Sequence, residues 1–154
     1  LLRAAKAIAL EGYVALAEPQ VLLKAGLEAK QCGTRVVLFL SAEFAVEAGA
    51  VAIQRLLLAG AVDLVVANRR EWTALERVLD QGLASSAARQ NLLQTVRRVV
   101  TLGALGAEYW APGMDEPLSV ATPATAMVVD TNGAGDAFAA GFLAHDLGLD
   151  RTQR

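Results

Sequence analysis

Short apolar runs of strand length alternate with apolar residues at helical spacing along most of the chain. The pattern predicts buried strands at residues 8–10, 35–41, 62–67 and 98–102, and shorter strands at 109–110, 118–120 and 127–129. It predicts helices at residues 1–7, 18–32, 44–58, 68–79 and 84–96, and a further helix that opens at Gly133. The run 35–41 is almost wholly apolar, which is typical of a strand buried on both faces of a parallel sheet. The alternation therefore predicts an α/β layered fold with a mostly parallel sheet flanked by helices.

Composition narrows the classes of partner. The 154 residues are 55% hydrophobic and 19% charged, with a net charge of -2, so the chain has the size and apolar content of about one globular domain. Its slightly acidic balance gives no electrostatic reason to expect nucleic acid or an anionic membrane as partner. No stretch reaches the roughly 20 apolar residues of a membrane span, and Cys32 is the only cysteine, so we expect a cytoplasmic protein.

Both ends of the sequence indicate that it is part of a longer chain. Position 1 is Leu rather than Met, and the sequence stops at Arg154 just after Asp150 and Thr152 make what reads as a new helix start. We therefore expect that part of any active site lies on residues outside this sequence.

Polar and glycine residues directly follow each predicted strand. They are Glu11-Gly12-Tyr13, Ser41-Ala42-Glu43, Asn68-Arg69-Arg70-Glu71, the segment 101–106 and the segment 130–136. In parallel α/β sheets, ligands bind at the carboxyl ends of the strands. This edge is the predicted active face.

The segment 130–136, which reads D-T-N-G-A-G-D, carries the most specific chemistry. Gly133, Ala134 and Gly135 open a helix without bulky side chains, so unpaired backbone N–H groups and the positive end of the helix dipole could receive a phosphate. A carboxylate at Asp136 would repel that anion unless it has another task, and the task predicted here is to accept a proton. Phe138 stands where a dinucleotide fingerprint needs its third glycine, and no G-K-[ST] follows as a P-loop requires.

The segment D-T-N-G-A-G-D at 130–136 resembles the signature of the ribokinase-like (PfkB) carbohydrate kinases. Asn68-Arg69-Arg70-Glu71 resembles the N-x-x-E motif of that family, although on its own it is also a good helix capping box. The segment 100–103 with Gly106 resembles the strand and turn that line the family's nucleotide site, and on its own it reads as an ordinary hairpin turn. Glu11-Gly12-Tyr13, placed after a strand, resembles the corresponding segment of the adenosine-kinase-like members of the family.

The resemblance implies a three-layer ribokinase-like fold. Residues 1–154 correspond to the central to C-terminal part of one such domain, without the N-terminal substrate and lid part and without the C-terminal end. It also implies an ATP-dependent kinase that phosphorylates a hydroxymethyl group of a sugar or nucleoside. Asp136 would be the catalytic base, Gly133, Ala134 and Gly135 the anion hole, and Thr101, Gly103 and Gly106 part of the nucleotide site.

The same resemblance implies ATP and Mg²⁺ as cofactors, with Asn68 and Glu71 organising the metal through water. Asp130 and Thr131 match the first part of the family's monovalent-cation loop, which could bind K⁺. The partner is a small-molecule sugar or nucleoside, and the full-length protein could form a homodimer. Three alternatives stay open: a kinase of the same fold for a vitamin or pyrimidine-precursor alcohol, a non-catalytic nucleotide-binding or dimerisation module, and a helix start at Gly133 that is only a structural turn. We expect the 154 residues alone to be inactive, because the lid that excludes water is missing.

Overall fold

The computed structural model describes residues 2–83, 85–123, 128 and 130–149, which form one mixed sheet with helices on both faces. The strands, in sheet order, are β1 (Ala7–Glu11), β2 (Arg35–Phe39), β3 (Leu64–Asn68), β4 (Arg97–Thr101), β5 (Ala107–Trp110) and β6 (Leu118–Val120). The helices are α1 (Gly12–Ala17), α2 (Pro19–Gln31), α3 (Glu43–Ala48), α4 (Ala50–Leu58), α5 (Arg69–Gly82), α6 (Ser86–Thr95) and α7 (Ala134–Asp146).

The first four strands pair in parallel, and β5 and β6 extend the sheet as antiparallel strands. The predicted α/β layered fold is therefore confirmed. The parallel register aligns the carboxyl ends of the strands, with Glu11 opposite Phe39 and Asn68 opposite Thr101. Every loop that leaves these four strands consequently starts from the same edge of the sheet.

The main core lies between one face of the sheet and the helices α1 to α6. Alternate strand residues such as Val36, Leu38 and Val65 are fully buried there against Ile53 of α4 and Leu75 of α5. Successive side chains of a strand point to opposite faces, so the intervening residues belong to a second layer. The near-continuous apolar strands seen in the sequence follow from burial on both faces.

The second face is covered more thinly, and α7 is the helix of the described chain that packs on it. Val37, Leu64, Val66 and Val99 of the sheet contact Ala139 of α7, with Phe142 and Leu143 partly buried beside them. The last turn of α7 contacts residues at the starts of the strands, whereas its first turn shares a cavity with residues at their ends. The helix therefore runs antiparallel to β1–β4.

A cluster of charges, called here the α7 clamp, fixes the C-terminal end of that helix. The Asp146 carboxylate accepts hydrogen bonds from both terminal nitrogens of Arg97 and from Arg35. Arg35 also donates to the Asp146 carbonyl at 3.2 Å, and Lys6 donates to the Leu147 carbonyl at 3.3 Å. Cations at the carbonyl end of a helix are favoured by its dipole. The clamp thus ties α7 to the starts of three strands.

The Arg97 guanidinium lowers the pKa of the Asp146 carboxyl by direct hydrogen bonding, against the opposing effect of burial. The same hydrogen bond raises the pKa of Arg97, and the Tyr109 hydroxyl that accepts from Arg97 at 3.0 Å adds to the effect. Both shifts favour the charged forms of the pair.

The predicted helix at residues 1–7 is wrong. A single 3₁₀ turn occupies Leu2–Ala4, and β1 already begins at Ala7. The Leu2 carbonyl accepts from the Thr34 hydroxyl at 2.6 Å and from the Ala5 amide at 3.0 Å. An α-helix would need that carbonyl for the amide of Lys6, so the tertiary contact ends the helical geometry after one turn.

The predicted helix at 44–58 is divided, and α1 is a helix that the sequence pattern did not predict. Gly49 separates α3 from α4, where a Cβ would lie 2.5 Å from the Ala15 Cβ. This close approach packs α1 against the junction of α3 and α4. The other predicted helices and strands agree with the structure to within a few residues. Two of the three positions of the predicted strand at 127–129, and the helix start after 149, lie outside the described residues. No helix in the described part of the chain is long and apolar enough to cross a membrane.

We expect Asp146→Asn to lower the stability of the protein by roughly 1–3 kcal/mol at pH 7, between the values typical of exposed and buried ion pairs. The Asp146 side chain is 18% exposed and that of Arg97 is 25% exposed. Because the folded-state pKa is below the unfolded one, the contribution is present above the unfolded pKa and is lost as pH falls through the folded pKa. Thermal unfolding of both proteins should therefore show a gap in melting temperature at pH 7 that narrows as pH falls below the ordinary aspartate pKa of about 4.

Asp80→Asn is the matched control. Asp80 pairs with Arg89 at 3.0 Å, but its side chain is 52% exposed, so its loss should cost under about 1 kcal/mol. A gap for Asp146→Asn that stayed constant between pH 3 and pH 7 would show that the ion pair is not its source.

Candidate functional site

A cavity of about 610 Å³ opens at the carboxyl edge of the sheet, beside the start of α7. Residues from five of the predicted loop segments line it. They include Glu11, Tyr13, Ser41, Asn68, Glu71, Thr101, Gly135 and Asp136. The predicted convergence of the strand ends is confirmed, and it brings the three polar side chains of Asn68, Glu71 and Asp136 into one cavity.

Asn68 and Glu71 bind each other through three hydrogen bonds. Asn68 Oδ1 accepts from the Glu71 amide at 3.0 Å, Glu71 Oε2 accepts from the Asn68 amide at 2.9 Å, and Asn68 Nδ2 donates to Glu71 Oε1 at 2.7 Å. This is a complete capping box that starts α5, as the sequence predicts. The two side chains are thus held in place by the fold before any ligand arrives.

The Glu71 side chain is largely buried, with 9% of the residue exposed. Burial raises the pKa of the Glu71 carboxyl, the hydrogen bond from the Asn68 amide lowers it, and the nearby Glu43 carboxylate raises it again. Burial is the largest of these effects. A cation placed in the cavity would favour the ionised form of Glu71.

The neighbouring residue Trp72 anchors this first turn of α5. Its ring is buried, and the Arg98 guanidinium lies 4.9 Å from it and 4.2 Å from the Trp110 ring. Burial lowers the pKa of Arg98. Both tryptophans therefore pack around a strand residue of the sheet.

At the start of α7, Gly133 has a φ of 72°, a left-handed conformation that favours glycine. Ala134 donates its amide to the Thr131 carbonyl at 3.1 Å, whereas within the described residues no acceptor is found for the amides of Gly133, Gly135 and Asp136. The Asp136 side chain is exposed to the cavity. Among the described residues, three of the four amides of 133–136 thus have no acceptor, and Gly135 and Asp136 line the cavity whereas Gly133 and Ala134 do not.

A second cavity, of about 460 Å³, adjoins the first. The two share Asn68 and Thr101, and Gly103 lines the second one together with Arg69 and Arg70. Gly106 lines neither. It has a φ of 109°, and a Cβ there would lie 1.9 Å from the Val120 carbonyl oxygen, so the hairpin itself requires this glycine.

Asp130 and Thr131 also lie outside both cavities. The Asp130 carboxylate accepts from the Asn132 amide at 2.9 Å and so shapes the turn before α7. A cation site at these two residues stays a prediction.

The sequence did not reveal the conformation of Ser41. Its φ is 67°, which is uncommon for a residue other than glycine. Its hydroxyl accepts from the Gly12 amide at 3.1 Å, and a Cβ on Gly12 would lie 2.1 Å from the Leu40 carbonyl oxygen. This close contact joins the ends of β1 and β2 and sets the cavity wall that carries Tyr13. The pattern of strand ends indicated where Ser41 lies, but no sequence signal reports a positive φ at a serine.

Comparison with known proteins identifies the family. The model of the pfkB family carbohydrate kinases matches residues 1–147 of the 154. The chain belongs to the pfkB carbohydrate kinase family. The suspected resemblance is therefore confirmed over nearly the whole sequence.

Solved structures of adenosine kinases and of a probable sugar kinase share this fold. Adenosine kinase from Sinorhizobium meliloti is 30% identical with a TM-score of 0.76, and the match covers 96% of this chain and 44% of that one. A probable sugar kinase from Rhizobium etli is 29% identical with a TM-score of 0.77, covering 96% and 44%. Anopheles gambiae adenosine kinase, in complex with di(adenosine-5) tetraphosphate, is 24% identical with a TM-score of 0.81, covering 97% and 46%.

The pfkB family chain described here thus spans less than half the length of these relatives. No curated protein matches its sequence significantly.

We expect Asn68→Ala to destabilise this pfkB family protein by about 2 kcal/mol, at the upper end of the range for lost helix caps. The substitution removes the cap of α5 and also the side-chain donor to the buried Glu71 carboxylate. Urea unfolding without nucleotide or metal measures the effect. Ser85→Ala is the control, because Ser85 caps α6 through one exposed bond to the Ala88 amide and should cost about 0.5–1 kcal/mol. Equal losses in the two variants would contradict a stabilising role for the bond to Glu71.

Proposed function

We propose that the full-length protein is an ATP-dependent kinase that transfers the γ-phosphoryl group to a hydroxymethyl oxygen of a sugar or nucleoside. The observation that carries the proposal is the joining of two cavities at Asn68 and Thr101, one holding Asp136 and the other Gly103. An acceptor in the first cavity and a nucleotide in the second would meet at that shared wall. Membership of the pfkB family supports the reaction class.

Asp136 is the proposed base. It is exposed to the first cavity in the first turn of α7, where it can accept the proton of an acceptor hydroxyl. Phosphoryl transfer passes through a loose transition state, so most of the catalysis is positioning and stabilisation of charge. A weak carboxylate base suffices for such a transition state.

The proposed anion hole is the start of α7. The amides of Gly133, Gly135 and Asp136 would hold the oxygens of the transferring phosphoryl group, with the helix dipole adding to their effect. The amide of Ala134 already donates to Thr131. The Ala134 amide therefore stabilises the turn and would not bind the anion.

Asn68 and Glu71 form the part of the site that is proposed to hold Mg²⁺. Among the described residues no three His, Cys, Asp or Glu side chains converge as a metal-ligand group. Mg²⁺ commonly takes one or two carboxylates and keeps several waters, so one buried carboxylate with a neighbouring amide fits it. When bound, the metal supplies positive charge to the phosphates. The chain's own part is to hold the Glu71 oxygens in place through Asn68.

A nucleoside is the acceptor best supported by the cavity wall. The Tyr13 side chain lines the first cavity, is 44% exposed and lies with its ring centre 5.8 Å from that of Phe44. An exposed aromatic ring offers a face for a base to stack on. The likeness to an adenosine kinase at 30% identity supports the same choice.

Further parts of the proposal concern the whole protein. The 154 residues would form the central to C-terminal part of one ribokinase-like domain, and a cytoplasmic location, a K⁺ site at Asp130 and Thr131 and a homodimer stay predictions. The remaining walls of both cavities would come from the rest of the protein.

In the full-length protein, Asp136→Asn should lower kcat by roughly 10²–10⁴ while leaving ATP affinity largely unchanged, because it removes the base without touching the nucleotide cavity. Steady-state ADP formation and a separate ATP titration measure the two quantities. Asp115→Asn is the control, since Asp115 is an exposed carboxylate outside both cavities. Normal kcat in Asp136→Asn would overturn the assignment of the base.

The acceptor can be identified with a panel of adenosine, ribose, fructose and other sugars in the presence of ATP and Mg²⁺. We expect acceptor-dependent ADP formation with a nucleoside, reduced at least about fivefold in kcat/KM by Tyr13→Ala through loss of stacking, which is worth about 1–3 kcal/mol per base. Binding of ATP without transfer to any member of the panel would favour a non-catalytic module or another alcohol.

A further inference from the structure

Within the described residues, helix α7 makes few apolar contacts that would fix it along its own axis. Of its thirteen residues Ala139 is the one that is buried, with Phe142 and Leu143 partly buried. A Cβ added at Gly135 or Gly141 would have no described atom within 4 Å. Small side chains on a sheet provide shallow ridges, so packing alone opposes sliding of this helix only weakly.

The α7 clamp supplies the missing axial restraint. Asp146 is bound by Arg97 through both terminal nitrogens and by Arg35 through its carboxylate and its carbonyl. Two nitrogens on one carboxylate fix direction as well as distance. Arg35 and Arg97 begin β2 and β4, whose backbones run through the core to Phe39 and Thr101 at the cavity edge. The clamp therefore fixes α7 relative to the same strands whose opposite ends form the site.

Displacement at one end of a helix is carried to the other end. Asp136 and Asp146 are ten residues apart in α7, or about 15 Å along the axis at 1.5 Å per residue. An unbroken helix is stiff over that length. A shift of Asp146 relative to Arg97 would consequently move Asp136 relative to Asn68 and Glu71 by a similar amount.

We propose that Asp146, with Arg97 and Arg35, is a positioning residue for phosphoryl transfer, setting how far the start of α7 reaches over the Asn68 and Glu71 pair. The inference rests on the proposed function, since it assigns Asp146 an effect through Asp136. Asp146 itself lies at the opposite end of the helix from the cavity and touches no part of it. Its effect on the reaction is entirely through the helix.

The test uses the full-length protein with ATP and the acceptor found in the panel. Asp146→Asn should lower kcat by roughly 10- to 100-fold, because a misplacement of about 1 Å can cost that much, with KM for ATP changed by less than about threefold. Arg35→Gln is a milder variant that leaves the Arg97 bonds intact, and it should show a smaller fall in kcat. Asp80→Asn removes one arginine pair far from the cavity by the same chemical change and should keep normal kcat.

A double variant separates positioning from loss of folded protein. Because Asp146 acts through the start of α7, which also carries the proposed anion hole, Asp136→Asn with Asp146→Asn should lose less kcat than the product of the two single losses, since residues acting as a unit are not additive. Multiplying effects in the double variant would overturn the proposal, as would normal kcat in both Asp146→Asn and Arg35→Gln.

The failure of the proposed function looks different. Normal kcat in Asp136→Asn overturns the base assignment and the positioning role with it. Loss of kcat in Asp136→Asn together with normal kcat in the two clamp variants overturns the positioning role alone.

Discussion

The parallel pairing of β1 to β4 is the constraint on which the other features depend. Because their registers are aligned, residues far apart in sequence such as Glu11, Asn68 and Thr101 leave the sheet at one edge. Burial on both faces holds the central strands in that register, since a slip by one residue would exchange the core side chains of the two faces. Val65 and Val66, successive residues that are both buried, illustrate the point from opposite faces.

The two faces of the sheet perform unequal tasks. The face covered by α1 to α6 contains most of the buried side chains and provides the rigid base of the site. The face covered by α7 is thin and polar at both ends of the helix, with charge pairs at one end and a glycine turn at the other. The proposed chemistry thus lies on the thinly covered face, whereas most of the buried apolar side chains lie on the other face. The charge pairs at Asp146 connect α7 to the strands of the sheet.

Much of the fold and the location of the site could be predicted from the sequence, because apolar periodicity reports burial and polar residues after strands report the edge. The motif residues Asn68, Glu71 and Asp136 were brought together as predicted. Features that depend on a single tertiary contact could not be predicted, such as the 3₁₀ turn ended by Thr34 and the helix break at Gly49 against Ala15. The left-handed Ser41 and the convergence of Arg35 and Arg97 on Asp146 belong to the same class, since these residues are separated by 29 or more positions from the groups they contact.

The capping box at Asn68 and Glu71 has a consequence for how such a site can change. The atoms that start α5 are the same atoms that face the cavity, so any substitution that retunes the chemistry also alters the free energy of the fold. Under the proposed function, substitutions at Tyr13 and the surrounding wall would therefore cost the fold less than substitutions at this pair. The hydrogen bonds between Asn68 and Glu71 would then restrict changes in the reaction while leaving the acceptor site free to change.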